Sequence, residues 1–323
     1  MKRSTTPLTP RIAADLADRV SAHVLDLAGT PVHYWEYAAT GPEAETDART
    51  IVMVHGFRGD HHGLERVVEL LPDYRIIMAD LPGFGVSPAF AGGESASGGS
   101  GHALTGRKHD IAGYGEFLDD FLSALKLGPN TVLLGHSFGS IVVSHFVAGN
   151  PGRVYPLILV NPIASPALEG PKGVLTKLAV FYYWASAKLP AGLGNALLRS
   201  KLIVHIMSVT MAKTRDKDLL AFIHGQHHAY FSGFANRDML LESFRASVSG
   251  TVREVAVRLQ LPTLLIAGEQ DEIATLPHQH KLAELLPQGE LVVIENVGHL
   301  IHYETPAPAA AAITDFLERH PAP

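Results

Sequence analysis

The chain contains no cysteine in its 323 residues. That one absence excludes a disulfide framework, thiolate metal ligands and a cysteine nucleophile. Clustered positive charge is also missing. Lys and Arg number 26 against 32 Asp and Glu, a formal net charge of −6, and the short basic runs are Lys2-Arg3 and Arg107-Lys108. A nucleic-acid partner is not expected, because neutralising phosphates requires a basic stripe. No uncharged apolar run reaches the ~20 residues of a transmembrane helix. The most apolar stretch, Val174 to Met211, is broken by Lys177, Lys188, Arg199 and Lys201. It reads as a set of packed helices, with a membrane-surface element as the alternative. After Met1-Lys2-Arg3 the chain continues Ser-Thr-Thr-Pro-Leu-Thr-Pro, without the apolar run of a secretory signal, so a cytoplasmic location is expected.

What is present is a 46% hydrophobic chain, enough for a sizeable core. Short β-branched apolar runs recur at 50–55, 75–80, 131–136, 157–161, 262–267 and 291–294, and read as strands buried on both faces. Amphipathic segments lie near 61–71, 110–127, 138–149, 277–287 and 306–320. This alternation predicts an α/β fold, a mostly parallel, doubly wound sheet of about eight strands. Residues 22–27 and 32–38 add an antiparallel hairpin at one edge, turning at Gly29-Thr30-Pro31. Two segments interrupt the alternation. Residues 91–101 are too rich in Gly and Ser to bury a core and read as a mobile loop. Residues 165–250 read mainly as helix and form a candidate inserted cap. The expected division is an N-terminal extension at 1–21, a core at 22–164 and 251–323, and the cap between.

Gly135-His136-Ser137-Phe138-Gly139 is a G-x-S-x-G pentapeptide directly after an apolar strand and directly before an apolar helix. A nucleophile on such a turn is forced into a strained conformation, and Gly135 and Gly139 remove side chains that would clash. The helix N-terminus presents free N–H groups to whatever the serine attacks. A serine hydroxyl needs a base oriented by a third group. His299 follows strand 291–294 on a short loop after Gly298 and is the candidate base. The candidate acid follows strand 262–267, where Asp271 leads and Glu269 and Glu272 compete.

With the order Ser137, Asp271, His299, the chain resembles the α/β-hydrolase family. His55-Gly56-Phe57 and Asp80-Leu-Pro-Gly-Phe-Gly-Val-Ser87 resemble that family's His-Gly oxyanion loop and its D-x-P-G-x-G-x-S turn, and Gly298-His299-Leu-Ile-His302-Tyr-Glu304-Thr-Pro306 its closing motif. The resemblance spans about residues 30–320, with the insertion placed as in lid-bearing members. It implies Ser137 as nucleophile, His299 as general base then acid, and Asp271 orienting His299. It further implies an oxyanion hole from the backbone N–H groups of Phe57 and Phe138, with His55, Gly56, Gly135 and Gly139 shaping the supporting loops. His302 reads as structural.

A serine nucleophile predicts attack on a carbonyl, hence hydrolysis of a carboxylic ester, thioester or lactone. C–C hydrolysis of a vinylogous diketone is an alternative; family members of that kind often carry Asn before the nucleophile and an aromatic after the catalytic His, and this chain departs from both with His136 and Leu300. A non-catalytic ligand-binding protein on the same fold is a second alternative. An apolar cap with Tyr, Trp and His suggests a mainly hydrophobic small-molecule substrate, with His136, Tyr182, Trp184 and Tyr230 as candidate lining residues. No cofactor is expected. His61-His62 and His224-x-x-His227-His228 invite a metal reading, but neither shows a carboxylate completing a ligand set, so no metal is expected. A homodimer is left open.

Overall fold

The computed structural model describes residues 14–27, 29–40, 48–91, 106–166 and 173–322. The Gly/Ser run after Ala91 and most of the N-terminal extension lie outside the described residues.

After a short helix, α1 (Ala14–Arg19), strands β1 (Val20–Leu27) and β2 (Thr30–Tyr37) form the expected hairpin. Gly29 supplies a positive φ of 87° at its turn, a region open to glycine without steric cost. Strands β3 (Thr50–Val54), β4 (Arg75–Ala79), β5 (Val132–His136), β6 (Leu157–Val160), β7 (Thr263–Gly268) and β8 (Gly289–Ile294) complete an eight-stranded sheet in the order β1-β2-β4-β3-β5-β6-β7-β8. Only β2 runs against the others.

The two-residue period of the central strands divides the core. Val52, Val54, Leu133, Leu159 and Leu265 face one cluster, with Phe117 and Phe121 of α3 (Ile111–Ala124) and Ile141 and Phe146 of α4 (Phe138–Gly149). Ile51, Met53, Leu134, Ile158 and Ile266 face the other, with Val67 of the one-turn helix α2 (Glu65–Val68). Helix and sheet thus form three layers, and the strand ends carry the loops where chemistry collects.

Among the described residues five α-helices intervene between β6 and β7: α5 (Gly173–Lys188), α6 (Ala191–Leu198), α7 (Lys201–Met211), α8 (Lys217–Tyr230) and α9 (Arg237–Ser249). Asp216 and Asn236 cap α8 and α9, each side-chain oxygen accepting two backbone N–H bonds. Helix α10 (Leu276–Leu285), the one-turn α11 (Ile301–Glu304) and α12 (Pro306–Arg319) complete the chain, and α12 adds Ile313 and Phe316 to the second cluster.

Two expectations change. Strand β8 is not buried on both faces: it closes the sheet edge and stays half-exposed up to Val293. The segment 61–71 is not one helix but a 3-10 turn, His61–Leu64, followed by the single turn of α2. Asp60 caps that turn by accepting the His62 N–H at 3.0 Å. The one-turn helix α11, ahead of the segment read at 306–320, carries His302.

Candidate active site

Strand β5 ends at His136 and α4 starts at Phe138, so Ser137 alone makes the turn. Its φ of 52° and ψ of −117° are a strained conformation for a residue with a side chain. Neighbours hold it there. The Ser137 N–H donates to the Val160 carbonyl at 3.0 Å, and the Ser140 hydroxyl donates to the Ser137 carbonyl at 2.5 Å. A Cβ on Gly135 would sit 2.6 Å from the Gly139 carbonyl oxygen, and one on Gly139 would run into the Val54 carbonyl oxygen. The spacing of the pentapeptide is therefore set by backbone meeting backbone.

The Ser137 Oγ lies 2.8 Å from His299 Nε2, and His299 Nδ1 lies 2.7 Å from Asp271 Oδ2. The other Asp271 oxygen accepts the N–H groups of Ile273 and Ala274 at 2.8 and 2.9 Å. Burial pushes the Asp271 pKa up, but attraction to the His299 ring and these hydrogen bonds outweigh it and hold the carboxyl below its ordinary value. An ionised Asp271 accepts only, which assigns the imidazole proton to Nδ1 and leaves Nε2 to accept from the serine. The competing acids are engaged elsewhere: Glu269 accepts the Asn296 N–H at 2.9 Å, and Glu272 pairs with Lys213 at 2.9 Å.

Phe138 is the first residue of α4, so its N–H has no intrahelical acceptor. Phe57 lies across from it on the turn after β3, and both line one cavity with Ser137 and His299. His55 fixes that turn. Its Nε2 accepts the Leu81 N–H at 2.9 Å, so its Nδ1 is the donor to the Gly56 carbonyl at 2.8 Å. A Cβ on Gly56 would press at 3.2 Å on both His136 and Ser137.

The cavity holds about 220 Å³, and its wall is mainly apolar, with Ile163, Met207, Met211, Phe231, Val248 and Ile273. His136 and Tyr230 line it, but Tyr182 and Trp184 do not. Tyr182 turns its hydroxyl to the Leu197 carbonyl at 3.1 Å. Trp184 is 49% exposed, beside Phe181 on the outer side of α5. His302 also lines the cavity, its ring 4.2 Å from that of His136. Burial pushes the His136 pKa down to about 3 and lowers that of His302, so both imidazoles are neutral.

Two buried residues escaped the sequence reading. Asn161, at φ 44° after β6, donates to the His299 carbonyl at 2.9 Å and accepts the Gly268 N–H at 3.0 Å, tying the His299 loop to β7. Arg58, only 1% exposed, donates to the carbonyls of Leu198 and Phe231 at 2.7 and 2.9 Å and to the Tyr183 hydroxyl at 3.1 Å. It joins the turn bearing Phe57 directly to the α5–α8 helices. A lone arginine two residues beyond His-Gly, in an apolar setting, was the available signal.

The histidine clusters also differ from expectation. Asp60 stands beside His61 and His62, all three offering ligand atoms within 4.8 Å of one another. The expectation that no carboxylate completes a ligand set is corrected for His61-His62, where Asp60 stands within reach. In the structure these atoms serve a hydrogen-bond network: His61 Nδ1 meets Asp80 at 2.8 Å and His62 Nδ1 meets Asp60 at 3.1 Å. The rings of Trp35, His61, His62 and Tyr230 follow one another at centroid separations of 3.3, 3.8 and 3.8 Å. In the second cluster one hydroxyl, that of Ser208, serves His224 and His227 at 2.6 and 2.7 Å.

A mostly parallel sheet with a strained serine between a central strand and its helix, facing a histidine held by a carboxylate, defines a hydrolase architecture. The family model for the alpha/beta hydrolase fold matches residues 49–306, and the chain belongs to that family. It is 23% identical over 271 residues to Lipase 1 of Psychrobacter immobilis, covering 82% of this chain and 74% of that protein. It is 24% identical over 282 residues to the monoacylglycerol lipase ABHD6 of Mus musculus, covering 83% and 75%. Among solved structures, a thermophilic esterase from Thermogutta terrifontis superposes with a TM-score of 0.67 at 21% identity, over 93% of this chain and 98% of that one. The enol-lactonase from Burkholderia xenovorans LB400 gives 0.68 at 18%, over 92% and 100%.

Proposed function

We propose that the chain is a serine hydrolase cleaving a carboxylic ester, or a related thioester or lactone, of a small and mainly hydrophobic molecule. The observation that carries this reading is the unbroken hydrogen-bond line from Ser137 through His299 to Asp271 at the wall of an apolar cavity. Ser137 Oγ attacks the substrate carbonyl while His299 Nε2 takes its proton, and Asp271 stabilises the imidazolium without itself being protonated. The N–H groups of Phe57 and Phe138 receive the developing oxyanion. His299 then protonates the leaving alcohol, and water hydrolyses the acyl-enzyme by the same steps in reverse order. No cofactor enters the scheme. The lipase and esterase names among the relatives agree with ester hydrolysis.

Residues 165–250 act as a cap over a core of 22–164 and 251–323. The cap contributes Met207, Met211, Tyr230, Phe231 and Val248 to the cavity wall. At about 220 Å³ the cavity is smaller than the ~300–1,000 Å³ of common ligand pockets, which favours short acyl groups. A fluorophosphonate probe tests the chemistry: the wild type is expected to label and Ser137→Ala not. Equal labelling of both, or none of the wild type, overturns the assignment. A chain-length series of p-nitrophenyl esters then reads specificity, with kcat/KM expected to fall beyond short acyl chains.

A further inference from the structure

The outer side of the α5–α7 helices departs from the rest of the surface in two respects. Among the described residues, nine of the fifteen exposed large apolar side chains lie between Leu178 and Val209. On α5, Leu178, Phe181 and Trp184 recur at intervals of three and are 58, 61 and 49% exposed, while on α7 Leu202 and Ile206 stand one turn apart at 67 and 50%. Leu193, 61% exposed, stands on α6, which packs against α5. Soluble chains rarely leave such apolar side chains concentrated and uncovered. The second departure is charge. Residues 170–215 contain seven of the 26 Lys and Arg and none of the 32 Asp and Glu. Lys177, Lys188 and Lys201 are exposed and have no acidic partner among the described residues. In a chain of net charge −6 this segment is cationic and free of acidic residues in sequence, with Lys213 at its far end paired with Glu272.

We propose that α5, α6 and α7 form a docking face for an anionic phospholipid bilayer. Apolar side chains with a tryptophan, bordered by lysines whose stems can lie along the surface, match the chemistry of an interfacial element. The negative surface potential of such a membrane attracts the unpaired lysines, and acidic residues that would be repelled are missing from the segment. Among the described residues no helix is long and apolar enough to cross a membrane, so attachment is peripheral. The face is also continuous with the cavity. Helix α7 presents Leu202 and Ile206 outward and Met207 and Met211 to the cavity, which places one wall of the site against the acyl region when the face is docked.

Vesicle flotation of the full chain tests this without turnover, so its failure and failure of the hydrolase reading are separable. Vesicles containing about one-third phosphatidylglycerol are expected to bind on the order of tenfold or more tightly than pure phosphatidylcholine, and the excess is expected to vanish at high salt. Trp184 emission should shift to the blue and be quenched by brominated lipid, and Trp184→Phe should remove the quenching. Lys188→Glu/Lys201→Glu should abolish the preference for anionic vesicles. Leu193→Asp/Leu202→Asp should lose binding to all vesicles with an unchanged melting temperature. No binding to anionic vesicles at low salt, or undiminished binding by both double variants, overturns the proposal. So does a concentration-dependent dimer dispersed by Leu193→Asp/Leu202→Asp, which would make a second copy the occupant of the face.

Discussion

The β5–α4 turn and the α5–α9 helices line the same cavity, but they are held by different means. Around Ser137 the backbone packs against itself: Gly139 lies against the Val54 carbonyl, and the Ser137 N–H is bound to β6. A position fixed in that way has little freedom to drift, which is what a nucleophile needs in order to stay within hydrogen-bond reach of its base. The helices are held instead by side chains and caps. They rest on Phe57, Tyr183 and Phe244, whose rings meet at 4.0–5.8 Å, and on the guanidinium of Arg58. Much of their outer side is uncovered. The contrast separates a part held by its own backbone from a part held by side chains and caps.

The contrast can be broken most sharply at the base. Asp271→Asn should leave the fold intact yet lower kcat by about 10⁴-fold, because the imidazole loses its tautomer and orientation; steady-state ester kinetics measure it. Near-normal activity would reassign the acid to Glu269 or Glu272. Next in size, Gly139→Ala drives a Cβ into the Val54 carbonyl and should cost about 3 kcal/mol in denaturant unfolding. No comparable cost should follow at Gly192 of α6, where a Cβ meets open space.

Asp80 is expected to contribute to the pH dependence of stability. It is fully buried and accepts bonds from the His61 backbone, the His61 ring and the Val86 N–H. Burial raises its pKa, but these partners outweigh that and hold the carboxyl below its ordinary value. A depressed folded pKa gives stability that is complete above the unfolded value of about 4 and is lost as pH falls below it. Asp80→Asn should therefore cost about 3 kcal/mol at pH 7. Denaturant midpoints from pH 7 to 3 should also flatten relative to the wild type, and parallel curves would count against Asp80 as the group responsible.

On the helical side the effects shrink. Arg58→Met should cost about 2 kcal/mol and leave the Leu198 and Phe231 carbonyls unpaired. Hydrogen exchange is expected to quicken in α6 and α8 while the central strands stay protected. At the far end, Leu193→Gln on the exposed side of α6 should move stability by no more than ~0.5 kcal/mol.

Most of the sheet was legible because its signals are local. A strand buried on both faces appears as an apolar run, and the hairpin and the Ser137 turn are marked by glycines needed where they stand. The edge strand β8 was read as buried because its apolar run lacks a marker of where the sheet ends. The 61–71 segment was misread because Asp60 turns the backbone by capping, which periodicity does not reveal. Asn161 and Arg58 were missed because their partners lie 138 and 140 residues away in sequence. Tyr182 and Trp184 were assigned to the cavity and found elsewhere because the apolar residues of α5 are spread around its axis, with no single stripe to say which side faces inward.

Two of the three groups bound by Arg58 are main-chain carbonyls, those of Leu198 and Phe231. Any residue offers the same carbonyl, so the sequence of the covering helices is free to change at those two sites while the anchorage persists. For anyone exchanging these helices for another set to alter substrate preference, Arg58 is a ready-made socket. What the replacement must preserve is the path of its backbone past two points, along with a hydroxyl where Tyr183 now stands.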